Sequence, residues 1–433
     1  MTEARDIRVV AAGFLLFVGI GGAGIRNALG WWGWGLAVAA AVAISIVWIA
    51  RERAKPRMPY SLIAWLGLSL LSLIWSAYPA STLLGLGAQW LAVLFAIPMA
   101  ATLTRVQLRD ALGATLRWIL GLSILFELIV SWFVRHPVAP VWLGIGWEDA
   151  FKQQQWSRNA LFVDGKIQGI LGNSTALATV AAVAVIVIAV QLADQWGGRG
   201  RRTWNIGWLL VAGGVMAMTR SAGVIVALVA AAAVLVLVLA VRNASTRRAH
   251  IVIASVASAA VVVALIGITF FSEQLLGLLG KDSTLTNRTD IWQTVLSVAD
   301  DRPVLGWGWV SYWTPWTEPF TGLVTINGVV QTHAHNAWLD IFLQLGVIGL
   351  IVFGVFVIRT LIRAWTSAID RRRLSRTVTA PYDATSMLPL LVIVLLLVQT
   401  ASESHLLVEG WWLVLVVFAI KLKTDALRDP ARL

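Results

Sequence analysis

Runs of 15–24 predominantly apolar residues recur along this chain, separated by short charged breaks. About 20 such residues cross the hydrocarbon core of a bilayer. Inside lipid a helix satisfies its own backbone, so each run reads as a spanning helix. Twelve are predicted, at roughly 8–24, 28–50, 61–77, 81–103, 111–134, 175–193, 204–219, 221–241, 250–271, 338–358, 386–401 and 405–421. Only Thr219-Arg220-Ser221 separates the seventh from the eighth, and the eleventh is short. Composition agrees: of 433 residues 58% are hydrophobic and 13% charged, which excludes both an ordinary soluble domain and a disordered chain. The expected fold class is an all-α membrane protein with about 12 transmembrane helices. No fixed-period repeat or low-complexity linker divides residues 1–433, so a single polytopic membrane domain is expected.

A net charge of +12 invites a nucleic-acid reading, but the placement of the charge argues for a membrane. With the N-terminus inside, 24 of the 34 Lys and Arg fall in inside segments and nine in outside ones, with Arg117 within the fifth span. Basic residues gather in cytoplasmic loops, so cytoplasmic N- and C-termini in a cytoplasmic (inner) membrane are expected, with no nucleic-acid partner. The first run lacks a small-residue cleavage site and reads as a retained anchor. Cys is absent from the sequence, which removes disulfides, thiolate metal sites and Cys nucleophiles together.

Two external connections are long, about Arg135–Ser174 and about 272–336. Long connections tend to carry function. The second is rich in turn formers and aromatics: Gly306, Gly308, Trp307, Trp309, Tyr312, Trp313, Trp316 and Phe320. It is expected to cap an active site. Within it, Thr289–Ala299 places Ile291, Val295 and Val298 at helical spacing, as an amphipathic helix on the membrane surface would. The Trp cluster reads as an interface anchor in preference to a sugar-stacking platform.

The second loop ends in His333-Ala334-His335-Asn336, followed nine residues later by Gly346-Val347-Ile348-Gly349. A histidine can take a proton near neutral pH, so His335 is a candidate general base, with His333 two residues away as partner or substitute. Arg220 stands alone at the outer end of the seventh span, and Arg288 opens the surface helix. Each has an ordinary reading, snorkelling for Arg220 and a solvated charge beside Asp290 for Arg288. Each also has a functional one, because guanidinium is planar, always charged and bidentate to phosphate oxygens. Asp290, Asp300, Asp301 and Glu318 lack convincing ligand spacing, so no metal and no cofactor are expected. Gly306-x-Gly308 lacks the strand–helix frame of a nucleotide loop. His136, His250 and His405 have no motif around them and read as structural.

The ordered set resembles the O-antigen ligase and Wzy polymerase superfamily of membrane glycosyltransferases. Its specific element is His335-Asn336, nine residues, then Gly346-x-x-Gly349; Asn287–Trp292, Pro303–Gly308 and the external stretch Gly165–Asn173 accompany it. Family ligases often carry Leu four positions after the arginine; here Val224 follows Arg220 at that distance. The resemblance implies a glycan donor on polyprenyl diphosphate, transferred to a glycan, lipid or protein hydroxyl acceptor at the outer face. It implies His335 as base, Arg220 and Arg288 as the diphosphate clamp, and direct displacement with inversion and without metal. Asn336 would orient His335 or the acceptor, and Lys166 and Arg302 would be secondary contacts. The alternative from another class is a polytopic secondary transporter or lipid-linked glycan flippase. Transporter sites lie near mid-membrane, whereas here the external ionisable residues concentrate in loops and Arg117 alone is clearly intramembrane.

Overall fold

The computed structural model describes residues 6–163, 165–194, 199–256, 259, 286–326, 328–370 and 381–427. The expected ninth span, 250–271, lies outside the described residues from 257 on, apart from residue 259, as does the start of the long loop. The described chain is overwhelmingly helical. In order, the helices are α1 (Ile7–Ile20), α2 (Gly22–Glu52), α3 (Tyr60–Leu71), α4 (Pro79–Thr102), α5 (Arg105–Ile129), α6 (Ser174–Ala193), α7 (Arg199–Thr219) and α8 (Ala222–Asn243). They continue as α9 (residues 247–256), α10 (Thr286–Ala299), α11 (Ala337–Ile369), α12 (Leu388–Gln399) and α13 (Glu409–Leu427). Among the described residues six helical segments are long and apolar enough to cross a membrane: Gly22–Glu52, Pro79–Thr102, Arg105–Val134, Ser174–Ala193, Ala222–Asn243 and Ala337–Ile369. Ile7–Ile20, Tyr60–Ile74 and Ala384–Gln399 are shorter apolar helices. Among the described residues the only strands are β1 (Thr325–Ile326) and β2 (Val329–Val330), a small antiparallel hairpin in the long loop.

Side-chain caps explain where several helices begin. Thr104 and Gln107 form a reciprocal capping box on α5, and Asn173 accepts the Ala176 N–H at the start of α6. α13 packs on α4 and α1, α6 on α7 and α5, and α12 on α8. Most of α13 is buried, as expected of a helix that is apolar on all sides. Arg117, costly in an apolar setting, is held by Gln191 Oε1 at 2.7 Å and Asn205 Oδ1 at 2.8 Å.

One break in a helix positions the loop. Within α11, Gly346 has φ +60° and interrupts the hydrogen-bond ladder. The freed Val347 and Ile348 N–H groups donate to the Pro303 and Val304 carbonyls, at 2.9 and 3.3 Å. The freed Leu343 and Gln344 carbonyls accept from Trp307 and Gly308 N–H, at 3.1 and 2.9 Å. Two lost helical rungs are thus replaced by two pairs of bonds to the loop, which is how an irregular backbone is tolerated in an apolar bundle. A Cβ on Gly346 would overlap the Val304 carbonyl, and one on Gly306 the Gln344 carbonyl. The two glycine motifs interlock.

The same loop is fastened to the α3–α4 connection. Trp309 N–H donates to Ser72 Oγ at 3.0 Å, and Tyr78 O–H to the Gly308 carbonyl at 2.7 Å. Trp309 is 0% and Trp313 2% exposed, so these rings are protein core instead of a membrane-interface anchor; Trp316, 75% exposed, is the cluster's outward member. α10 corrects the surface-helix expectation in the same way. Ile291, Val295 and Ala299 are buried against Val310, Trp313, Phe320 and Leu343, so its apolar stripe faces protein, not lipid.

Candidate functional site

Glu403, buried in the turn after α12, gathers the site. Its Oε1 accepts from the Arg288 guanidinium at 3.0 Å, and its Oε2 lies 3.2 Å from His335 Nδ1. His333 Nε2 and His405 Nε2 lie 3.9 and 4.0 Å from that same oxygen. The His333 and His335 rings are 4.1 Å apart between centroids. Burial alone would raise the Glu403 carboxyl, but the His333 and His335 rings and the charge of His405 hold it well below the usual carboxylate range.

The sequence builds this convergence from three directions. β1 and β2 deliver Gln331, and His335 follows in the left-handed region at φ +51°. Asn336 then caps α11, its Oδ1 accepting from Trp338 and Leu339 N–H at 3.0 and 3.3 Å. Of the two roles expected for Asn336, this engagement favours orienting His335, by fixing the helix start. From α12, the Thr400 carbonyl and hydroxyl accept from Ala337 N–H and Trp338 Nε1–H, both at 3.0 Å. Beneath them Asp340, buried in the first turn of α11, accepts from Ala334 N–H at 3.1–3.2 Å and from the Ser404 hydroxyl. It therefore ties the residue before His335 to the residue after Glu403.

Arg220 sits in the α7–α8 turn, exposed and again left-handed, with φ +49°. Non-glycine residues held in that region mark strain that the surrounding structure imposes. Two of the five in the described chain, Arg220 and His335, are site candidates. The turn approaches the Glu403 loop: a Cβ on Gly223 would lie 3.3 Å from Ser402 Oγ. Lys166 is exposed beside the same turn, where Ile167 N–H donates to the Met218 carbonyl at 3.4 Å. Its segment is anchored by buried Glu127, which accepts from Gln168 and Gly169 N–H at 3.0 and 2.8 Å. Arg302, expected as a secondary contact, stands apart from the Glu403 cluster. It lies past the far end of α10, whose stretch from Arg288 to Ala299 rises about 16 Å, with its guanidinium 4.3 Å over the Trp307 ring.

Sequence reasoning did not single out Glu403, Asp340 or Gln331, and it read as structural His405, which the fold brings to 4.0 Å from Glu403 Oε2. The signal was Thr400-Ala401-Ser402-Glu403-Ser404-His405, a polar hexamer between two apolar runs on the side assigned to the exterior.

Residues 206–354 match the family model described as O-antigen ligase. That interval holds Arg220, Arg288, His335, Asn336, Gly346 and Gly349, and leaves out Lys166, Glu403 and His405. The chain is also similar to the exopolysaccharide production protein ExoQ of Rhizobium meliloti (strain 1021), 33% identical over 92 residues. That similarity covers 19% of this chain and 20% of the relative's length. With the motif residues of 206–354 assembled as described, these comparisons support the likeness of that interval of a multi-pass membrane chain to the O-antigen ligase and Wzy polymerase superfamily.

Proposed function

We propose that the chain is a polytopic glycosyltransferase that uses a glycan on polyprenyl diphosphate as donor and a hydroxyl as acceptor, at the outer face of the cytoplasmic membrane. The observation that carries this reading is the meeting of Arg288 and His335 on the two oxygens of Glu403. In this reading the bundle crosses the membrane twelve times with both termini cytoplasmic, and 272–336 is the external cap. The donor's isoprenoid tail lies among the spans. Arg220 and Arg288 hold the diphosphate and stabilise the charge that grows on it as the glycosidic bond breaks. Glu403 accepts the Nδ1–H of His335, leaving Nε2 to take the proton. The acceptor hydroxyl then displaces the Gln331 amide that faces Nε2 at 3.3 Å. The deprotonated oxygen attacks the anomeric carbon from the face opposite the diphosphate, which inverts the configuration without a covalent intermediate or a metal.

The test is transfer by the purified chain from a polyprenyl-diphosphate glycan, scored by product size and by loss of donor. His335→Ala should lower the rate by about 10²–10⁴-fold, the usual contribution of a general base. His333→Ala should be milder. Full activity in His335→Ala would remove the histidine from the mechanism. A product extended on the lipid carrier identifies a polymerase; transfer to a different acceptor identifies a ligase.

A further inference from the structure

We propose that His333, His335 and Glu403 also form a binding site for a single zinc ion, and that its occupancy withholds His335 from transfer. The second half rests on the functional reading above; the first does not. One nitrogen from each histidine and one Glu403 oxygen lie within 4.8 Å of one another. Tetrahedral zinc with nitrogen and oxygen ligands at about 2.0–2.2 Å sets neighbouring ligand atoms roughly 3.3 Å apart. The observed separations from Glu403 Oε2, 3.2 Å for His335 Nδ1 and 3.9 Å for His333 Nε2, need only small side-chain adjustments to meet this. His405 Nε2, 4.0 Å from the same oxygen, is within reach of the fourth position.

Two further observations point to a cation. His333 Nε2 is buried and, among the described residues, no group lies within hydrogen-bond distance of it, Glu403 Oε2 being 3.9 Å away; a ring nitrogen so placed is costly unless something draws the two together. His335 has acceptors on both sides. The Gln331 side-chain Nε2 donates to the Val329 carbonyl at 3.0 Å, which turns Gln331 Oε1 toward His335 Nε2 at 3.3 Å. With Nε2–H donating to that oxygen, the lone pair of a neutral ring sits on Nδ1 and faces the Glu403 carboxylate. A metal ion between them removes that conflict. An outer N–H held by an amide oxygen is also the usual support of a metal-bound imidazole. His335 therefore has two useful tautomers: a base at Nε2 when Nδ1–H meets Glu403, and a ligand at Nδ1 when Nε2–H meets Gln331. Arg288 on Oε1 fixes the carboxylate and leaves Oε2 for the ion. Two imidazoles and one carboxylate suit zinc; magnesium and calcium prefer all-oxygen shells.

The test is calorimetric titration of the purified full chain in detergent with zinc chloride, without donor or acceptor, and with magnesium chloride as comparison. One zinc per chain is expected and no comparable magnesium binding. His333→Gln and Glu403→Gln should each weaken zinc binding by about tenfold or more, while His136→Gln and His250→Gln leave it unchanged. Cobalt(II) in place of zinc should show the visible bands of a four-coordinate ion, lost in His333→Gln. No saturable zinc binding, or binding unaltered in His333→Gln and Glu403→Gln, overturns the site. Because no donor is present, failure of the transfer reading would leave this result standing. Zinc bound at saturation with transfer undiminished would overturn the claim that the ion withholds His335.

Discussion

At the residue scale the site depends on two buried carboxylates with different tasks. Glu403 faces the Arg288 guanidinium and three imidazoles, whereas Asp340 is held by the Ala334 amide and the Ser404 hydroxyl, with His333 as its charged neighbour. Glu403→Gln removes the charge that Arg288 and His335 share, so transfer should fall about 10²-fold or more, as for loss of the group that orients a catalytic imidazole. The protein should still reach the membrane, and steady-state kinetics should show the loss mainly in kcat. Asp340→Ala instead strands the Ala334 N–H and the Ser404 hydroxyl in the core. Its cost should be about 1–3 kcal/mol of stability, read as a lower Tm in detergent, with Asp340→Asn milder because an acceptor remains. Arg288→Lys should lose most activity although its charge is kept, because a point charge cannot replace a planar fork on both phosphate and Glu403. Arg302→Lys should change transfer little, since Arg302 lies on Trp307 and away from Glu403. His335 and Arg288 were legible in the sequence because a motif spacing and a lone cation in a polar loop both stand out. Glu403 and Asp340 were not. A single acid in a short turn has no spacing to read, and Asp340 is masked by the apolar run that follows it.

At the scale of elements, the glycines nine residues beyond the His-Asn pair acquire a mechanical meaning. Gly346 breaks α11 so that Pro303–Gly308 can replace two rungs of its ladder, and α10 is thereby held with Arg288 facing Glu403. A substitution at Gly346 must strain φ +60° and push the Val304 carbonyl away. Left-handed backbone costs a non-glycine residue about 1–3 kcal/mol, and the overlap adds to it. Gly346→Ala should therefore lower both Tm and transfer. Gly354→Ala, further along the same helix with nothing within 4 Å of the added carbon, should be neutral or slightly stabilising. Equal loss in both variants would mean that α11 tolerates no alanine and that the interlock is not the reason. The helical runs were legible from hydropathy, and so was the helix at 289–299. What covers that helix was not, because an apolar stripe has one pattern whether it meets lipid or a protein core. The Trp cluster misled for the same reason: tryptophan at an interface and tryptophan in a core contribute alike to composition.

At the scale of the whole molecule, the two ends of the bundle differ in how they are closed. α12 places Thr385 at one end and Gln399, followed by the Glu403 turn, at the other. Near the Thr385 end, Arg109 pairs with Asp194 at 2.7 Å, and Asp194 in turn accepts from Thr385, so polar ties close that face. Near the other end lie Arg220, Lys166 and the His333–His335 segment. The proposed orientation, with basic residues gathered on the cytoplasmic side, makes the second face the exterior. The absence of Cys from the sequence makes this directly measurable. Single cysteines at Arg302 and Trp316, both exposed in the long loop, should react with a membrane-impermeant maleimide in intact cells. A cysteine at Arg201, exposed at the start of α7, should react only after the membrane is opened. The same pattern should persist in His335→Ala, so that a loss of transfer there is separated from a loss of insertion. If Arg201 is labelled in intact cells and Trp316 is not, the cluster faces the cytoplasm. A donor delivered to the outer leaflet would then be out of reach, and the transferase reading would have to be given up together with the external cap.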